Sequence, residues 1–307
     1  MPRKTITIFG ATGAQGSSVL RSLSANASKA FALRGITRDP ASRAAQALSA
    51  LDVEVVKADG WDKKSMVIAF QGSWGAFVNT NSEDPAGVQV LVYSGLSSAK
   101  EITRGKVANR AFDAISEYAK SIGTFQSVII TSPGWYFENF LNQDSAKAFG
   151  EFPYFPQEDG TLLYRVPKWG GKERVPFVAI ADDFGDIVHG VFLEPETWNR
   201  KFIQGVSDIR SFAAAVQSFE RVTRIQARFE EIPRWQDFET CGIGALETVK
   251  LTFGVCQESG GLYYGAEPEI ETAAGLKRAV AKASGRDIAE SKLLTLDEFF
   301  EREFRAG

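Results

Sequence analysis

At 307 residues the chain is long for a single hydrophobic core and short for two independent domains, so one main domain with a smaller partner lobe is expected. With 44% hydrophobic and 24% charged residues and a net charge of −3, it reads as a soluble globular protein without the bulk positive charge that would favour nucleic acid as a partner. Cys241 and Cys256 lack the CxxC spacing of a metal or redox site and read as incidental buried thiols. The N-terminus shows no apolar targeting segment and no stretch approaches the ~18 apolar residues of a membrane span, so the expected address is cytoplasmic.

In chain order, residues 5 to 131 alternate β-rich runs with helical patterns: TITIF, then Ala14 to Ser24; ALRGIT, then Ser42 to Ala50; VEVVK, then Lys63 to Phe70; then GAFVN, VLVYS and SVIIT. Such alternation predicts an α/β fold whose parallel sheet is covered on both faces by helices. Val107, Ala111, Ile115 and Ala119 recur at helical spacing before the last of these runs. One connection is short. Only TNSEDPAGVQ lies between GAFVN and VLVYS, whereas a parallel crossover takes roughly a dozen residues and usually a helix. Either the topology departs from expectation there, or a segment is missing between Thr80 and Gln89. The full-length crossovers elsewhere favour the second.

After Thr131 the texture changes. SPGWYFENFLNQ is expected to open a helix, and EFPYFPQEDGTLLYRVPKWGGKERVPF, rich in Pro, Gly and aromatics, reads as loops over a binding cleft. Helices are expected over Asp182 to Leu193 and around Phe212, Val216 and Phe219, with a short strand at Lys201 to Gln204. The tail LTLDEFFERE reads as an amphipathic helix capped by Thr295 or Asp297.

Gly10, Gly13 and Gly16 stand between a strand and a helix, where a dinucleotide needs a turn free of Cβ strain, close backbone approach and exposed N–H groups at a helix N-terminus. The alternative is a glycine turn without a ligand. At the end of the second strand Thr37-Arg38-Asp39-Pro40 sets a guanidinium where a ribose 2′-phosphate would lie, favouring NADP(H) over NAD. Asp39 could instead pair with Arg38 or Arg43. Asp59 either borders an adenine pocket or caps the following helix. Asn79, Thr80 and Asn81 end the fourth strand as cofactor neighbours or loop caps.

Catalytic groups are harder to find, and none is assigned. Tyr118 lacks the lysine four residues on that would lower a phenol's pKa, position 122 being Ile. Lys106 reads as a solvated lysine, and the sole histidine, His189, as a packed or capping group in the apolar run DIVHGVF. The pattern carries no metal cluster, nucleophile elbow or Walker motif.

GATGAQG, TRDP, YSGL, PGWYFENF, ADDFGDIV and the terminal LTLDEFF together resemble the NmrA-like family of atypical short-chain dehydrogenase/reductases, over essentially the whole chain. The resemblance implies a Rossmann doubly wound parallel sheet and a second, smaller α/β lobe. The NADP(H)-binding domain would occupy residues 1–134, completed by parts of 176–206, and the substrate or partner lobe 135–175 and 207–307. Family cofactor contacts would fall on Gly10, Thr12, Gly13, Ala14, Gln15, Gly16, Arg38, Asp59, Thr80 and Asn81. Tyr136, Phe137, Glu138 and Asn139 would lie along the nicotinamide. Two departures stand out: the family's lysine-bearing helix between the fourth and fifth strands, and its His-Phe-x-x-Lys-like element near Lys106 to Asn109, have no counterpart in these runs.

Two functions are therefore expected. One is an NADP(H)-dependent oxidoreductase reducing a small apolar carbonyl, imine or enone compound, as many family members do in fungal secondary metabolism. Its pocket would be lined by Trp135, Tyr136, Phe152, Tyr154, Phe155, Tyr164 and Trp169, unless those rings are core. The other is a non-catalytic NADP(H)-sensing regulator that binds a protein partner.

Overall fold

In the computed structural model, residues 3–26, 30–79, 88–110, 112–113 and 125–305 are described. Six strands of the first half, β1 (Lys4–Ile8), β2 (Phe31–Thr37), β3 (Val53–Lys57), β4 (Gly75–Val78), β5 (Val90–Ser94) and β6 (Ser127–Pro133), join the later β10 (Phe202–Gly205) in a parallel sheet. Their order is β10-β6-β5-β4-β1-β2-β3, so the winding reverses on either side of β1. Crossover helices α1 (Ala14–Ser24), α2 (Arg43–Ser49) and α3 (Lys63–Phe70) alternate with the first strands, as periodicity predicts, and one-turn helices follow later at Ala99–Ile102 (α4) and Pro195–Trp198 (α6). β4 and β5 pair directly and in parallel, Gly75 opposite Val90 and Val78 opposite Tyr93. The topology therefore does not depart from expectation. Residues 80–87 of that crossover, and most of the helix expected from Val107 to Ala119, lie outside the described residues.

Each face of the sheet has its own core. One is built from Ile6, Ile8, Val19, Leu20 and Leu23 with Ile187, Val188 and Val191 of a later helix, α5 (Gly185–Leu193). The other joins Ile36, Met66, Phe70, Leu91 and Tyr93. α1 and α5 pack backbone to backbone: a Cβ on Gly185 would lie 2.2 Å from the Ser18 carbonyl oxygen, and the Ser18 hydroxyl accepts the Gly185 N–H. α5 continues a five-residue π-turn, Ile180–Phe184, whose buried Asp183 pairs with Lys277 of α9 (Glu271–Ser284).

The second lobe is a mass of aromatic rings. It is framed by a sheet of β11 (Asp208–Arg210), β9 (Val175–Val178) and β7 (Trp135–Tyr136), and by the parallel pair β8 (Leu162–Pro167) and β12 (Ala227–Ile232). The helices α7 (Phe212–Thr223), α8 (Ala245–Ser259) and α10 (Leu296–Phe304) close around it. After β7 the chain forms two short 3-10 segments, Phe137–Leu141 and Gln143–Phe149, in place of the expected helix, because pairing of Trp135 and Tyr136 with β9 holds the start extended.

The segment read as cleft loops contains β8 and β9, and its rings are core. Trp135, Phe152, Tyr164 and Trp169 are buried, and edge-to-face contacts join Trp135 to Trp169, Phe149 and Phe212. The space left among Trp135, Phe140, Phe149, Phe152 and Tyr164 is about 10 Å³, room for no more than a water. Tyr154 donates its hydroxyl proton to the Phe140 carbonyl and Phe155 is exposed, so these rings do not form the expected pocket. Cys256 is buried as expected, but Cys241 is exposed, in a turn with φ 52°.

Candidate cofactor cleft

The loops after β1, β2 and β3 and the end of β4 all lie at the carboxyl edge of the sheet, on the side where open α/β sheets hold ligands next to the point of reversed winding. They enclose a cleft of about 790 Å³ lined by Phe9, Gly10, Thr12 and Gly13 from the first loop, Arg38 and Asp39 from the second, Asp59 and Trp61 from the third, and Asn79 from the fourth. That volume is within the range of small-ligand and cofactor sites.

The glycines are required by close approach. Gly10 has φ +67°, and a Cβ there would lie 2.6 Å from the Asn79 side-chain oxygen. A Cβ on Gly16 would meet the Gly10 carbonyl oxygen at 2.3 Å, so the turn folds back on its own helix. Gly13 is the N-cap of α1 without a side chain to satisfy the first-turn N–H groups, and Thr12, Gly13 and Ala14 are exposed. Unpaired donors and the helix dipole together make a site for an anionic group. Among the described residues, the Asn79 Oδ1 and Gln15 Oε1 atoms are buried beside this turn without hydrogen-bond partners. A ligand that brings donors to the strand ends fits that deficit.

Arg38 is exposed at the end of β2, and no ion pair holds it among the described residues. Asp39 turns inward on its own loop, accepting the Ala41 N–H at 3.0 Å, and forms no bridge to Arg38 or Arg43 there. Asp59 does not cap α3. Its carboxylate accepts the Trp61 N–H at 3.1 Å, while Asp62 caps the helix through the Lys64 N–H at 3.0 Å. Thr80 and Asn81 lie outside the described residues.

The four residues expected along the nicotinamide are not brought into the cleft as a group. Gln15 Nε2 donates to the Tyr136 hydroxyl at 2.6 Å, which joins Tyr136 to the glycine turn across 121 residues of sequence. Burial pushes the Tyr136 phenol up, an effect the Gln15 bond only partly offsets. Phe137 is wholly buried against Phe177 and Phe299. Glu138 accepts the Ile180 and Ala181 N–H groups at 3.2 and 2.8 Å, capping the π-turn, and burial lifts its carboxyl above the usual range against those donors. Asn139 is exposed.

His189 packs as expected. Its ring is buried between Ser22, 3.0 Å from Nδ1, and Asn26, 3.2 Å from Nε2, with Phe31 edge-on. Lys106 is solvated and pairs with Glu258 at 2.9 Å. Among the described residues no group of His, Cys, Asp and Glu could hold a metal, and no helix is long and apolar enough to cross a membrane. Trp61, 89% exposed on the cleft, went unread in the sequence; its one signal is a lone aromatic inside the polar run ADGWDKK.

The model of the NmrA-like family matches residues 2–300. An NmrA-like family domain-containing oxidoreductase, FrzB, of a Cladobotryum species is 45% identical over 97% of this chain and 98% of its own. Another, lnaB of Aspergillus flavus, is 44% identical over 98% of each. The FrzB alignment runs to 330 positions, more than this chain's 307 residues, so that relative carries stretches without a counterpart here. Among solved structures, NmrA, a negative transcriptional regulator in complex with NADP, superimposes with a TM-score of 0.75 at 18% identity, covering 99% of this chain and 96% of its own. The NADPH-dependent quinone oxidoreductase QOR2 of Escherichia coli, complexed with NADPH, gives 0.59 at 22% identity, covering 98% and 100%.

Proposed function

The chain belongs to the NmrA-like family, and from that premise we propose that it binds NADP(H) in the strand-end cleft and acts as an oxidoreductase on a small apolar carbonyl, imine or enone compound of secondary metabolism. The observation that carries the cofactor reading is the exposed guanidinium of Arg38, unpaired among the described residues, in the same cleft as the folded-back glycine turn. The turn's free N–H groups would hold the pyrophosphate and Arg38 the 2′-phosphate as a charge-assisted contact. Asn79 would meet the cofactor with its orphaned side-chain oxygen. When bound, the nicotinamide supplies or accepts a hydride.

The names of the curated relatives support redox chemistry. This chain's contribution would be positioning. Tyr136, with its proton held more tightly than an ordinary phenol's, is a poor acid near neutral pH and is better suited to orienting Gln15 against the turn. Donor and acceptor held in reacting geometry can supply much of the rate without a strong acid.

A second reading, a non-catalytic NADP(H) sensor that binds a protein partner, is favoured by one observation: among the described residues, no tyrosine–lysine pair faces the cleft. Titration with NADPH and NADH, followed by NADPH absorbance in the presence of quinone, enone and imine panels, separates the two. Substrate-dependent oxidation supports the enzyme. Saturable NADPH binding without turnover across all panels, together with cofactor-dependent capture of a partner, would replace it with the sensor, and no saturable binding of either cofactor overturns both.

A further inference from the structure

On the reading of the cleft as a dinucleotide site, we propose that Trp61 is the platform on which the adenine ring stacks, and that Asp59 acts as its positioning residue rather than as a direct contact to the base. Trp61 is the one tryptophan of six in the exposed class. Trp135 and Trp169 are buried, and Trp74, Trp198 and Trp235 are partly so. A lone exposed apolar side chain is ordinary on a protein surface. Trp61 differs in its place: it lines the same cleft as the glycine turn and Arg38, together with the apolar Phe9, Ile36 and Ala58. Apolar side chains beside Trp61 at the end of β3 suit the face of a flat aromatic base, while the charge of Arg38 at the end of β2 suits a phosphate.

The backbone beneath the indole is held while the side chain stays free. Asp59 accepts the Trp61 N–H through its carboxylate and the Asp62 N–H through its carbonyl, the latter at 2.9 Å. The Asp59 N–H donates to the Ser65 hydroxyl at 3.2 Å. Gly60 brings the loop down onto Phe9, whose ring tip would stand 2.9 Å from a Cβ at that position. The loop is thus fixed on one cleft wall, with its single large ring presented to the opening. Stacking of a base on an aromatic side chain is indifferent to the ribose 2′ position, so Trp61 serves NADPH and NADH equally, whereas Arg38 discriminates between them.

The test uses the full chain and three probes: NADPH, NADH and adenosine 2′,5′-bisphosphate. Trp61→Ala is expected to raise Kd by roughly tenfold for all three, while Trp61→Phe keeps most of the affinity. In the wild type, adenosine 2′,5′-bisphosphate is expected to shield the exposed tryptophan from acrylamide quenching. Asp59→Asn, which retains an oxygen acceptor for the Trp61 N–H, keeps the affinity that Asp59→Ala loses. Unchanged Kd values for Trp61→Ala alongside normal wild-type binding overturn the platform and leave the cofactor reading standing. Equal losses for Asp59→Asn and Asp59→Ala overturn the positioning role. Failure of the wild type to bind any probe overturns the cleft reading and the platform with it.

Discussion

The two lobes use their unusual residues in opposite ways. In the first, small residues collect at the strand ends: Gly10, Gly13 and Gly16 leave room, and among the described residues Asn79, Gln15 and Arg38 lack partners that fill their bonding capacity. In the second, large rings collect and leave no room; Trp169, Phe177, Phe212 and Phe253 are wholly or almost wholly buried. Aromatic richness in a sequence therefore signals a pocket only where something prevents the rings from packing on each other. Here nothing does, and the opening is where side chains are absent.

The sharpest way to break this contrast is to remove a ring from the second lobe. Trp169→Ala should cost about 3–5 kcal/mol of stability, the range for truncating a buried tryptophan, and leave the NADPH Kd of the folded protein unchanged. Denaturant unfolding and cofactor titration check the two halves. A weakened Kd without a stability loss would return Trp169 to a binding role.

The next effect lies under the cradle, where α1 meets α5. Burial, with the Arg286 charge adding to it and Asp186 opposing, pulls His189 down to about 4 from its ordinary 6.5. Because the folded pKa is depressed, the unfolded chain binds the proton more readily. The stability that neutral His189 contributes is full above pH 6.5 and declines as pH falls towards 4, by about 3 kcal/mol in all. Unfolding midpoints from pH 7.5 to 4 should show that slope, and the difference between wild type and His189→Asn isolates it from carboxylates titrating in the same range. A parallel pH dependence in both proteins would remove His189 as its source.

Arg38→Ala tests the open lobe in the converse way. Loss of a charge-assisted phosphate contact costs about 1.5–3 kcal/mol, so the NADPH Kd should rise roughly ten- to a hundredfold, the NADH Kd should hardly move and the unfolding midpoint should stay put. Equal effects on both cofactors would take Arg38 away from the 2′-phosphate.

What the sequence disclosed follows the same division. Strand and helix periods in residues 5–94 are local properties, and Gly16 can be read because one missing Cβ serves one turn. The surroundings of Phe137 and Glu138 are not legible in the sequence because distant partners set them: Phe177 and Phe299 for the ring, and the Ile180 and Ala181 N–H groups for the carboxylate. Trp61 stayed hidden since an aromatic in a turn has no period, and only the converging loops after β1 and β2 give it a wall to face.

The smallest effect tests a local signal inside the nonlocal lobe. Thr295 and Asp297 both read as caps for the last helix, and the structure divides their labour. Thr295 forms a reciprocal capping box with Glu298, while Asp297 reaches Arg210 of β11 at 2.6 Å and also contacts Ser218 and Arg221 on α7. Thr295→Ala should therefore cost about 1 kcal/mol, with Thr295→Ser restoring most of it. Since Leu296, Phe299 and Phe300 of this helix belong to the aromatic core and none lines the cleft, the loss should appear in unfolding alone. A shift in NADPH affinity from so remote a cap would mean the solid lobe and the open one are coupled, and the division drawn between them would have to be given up.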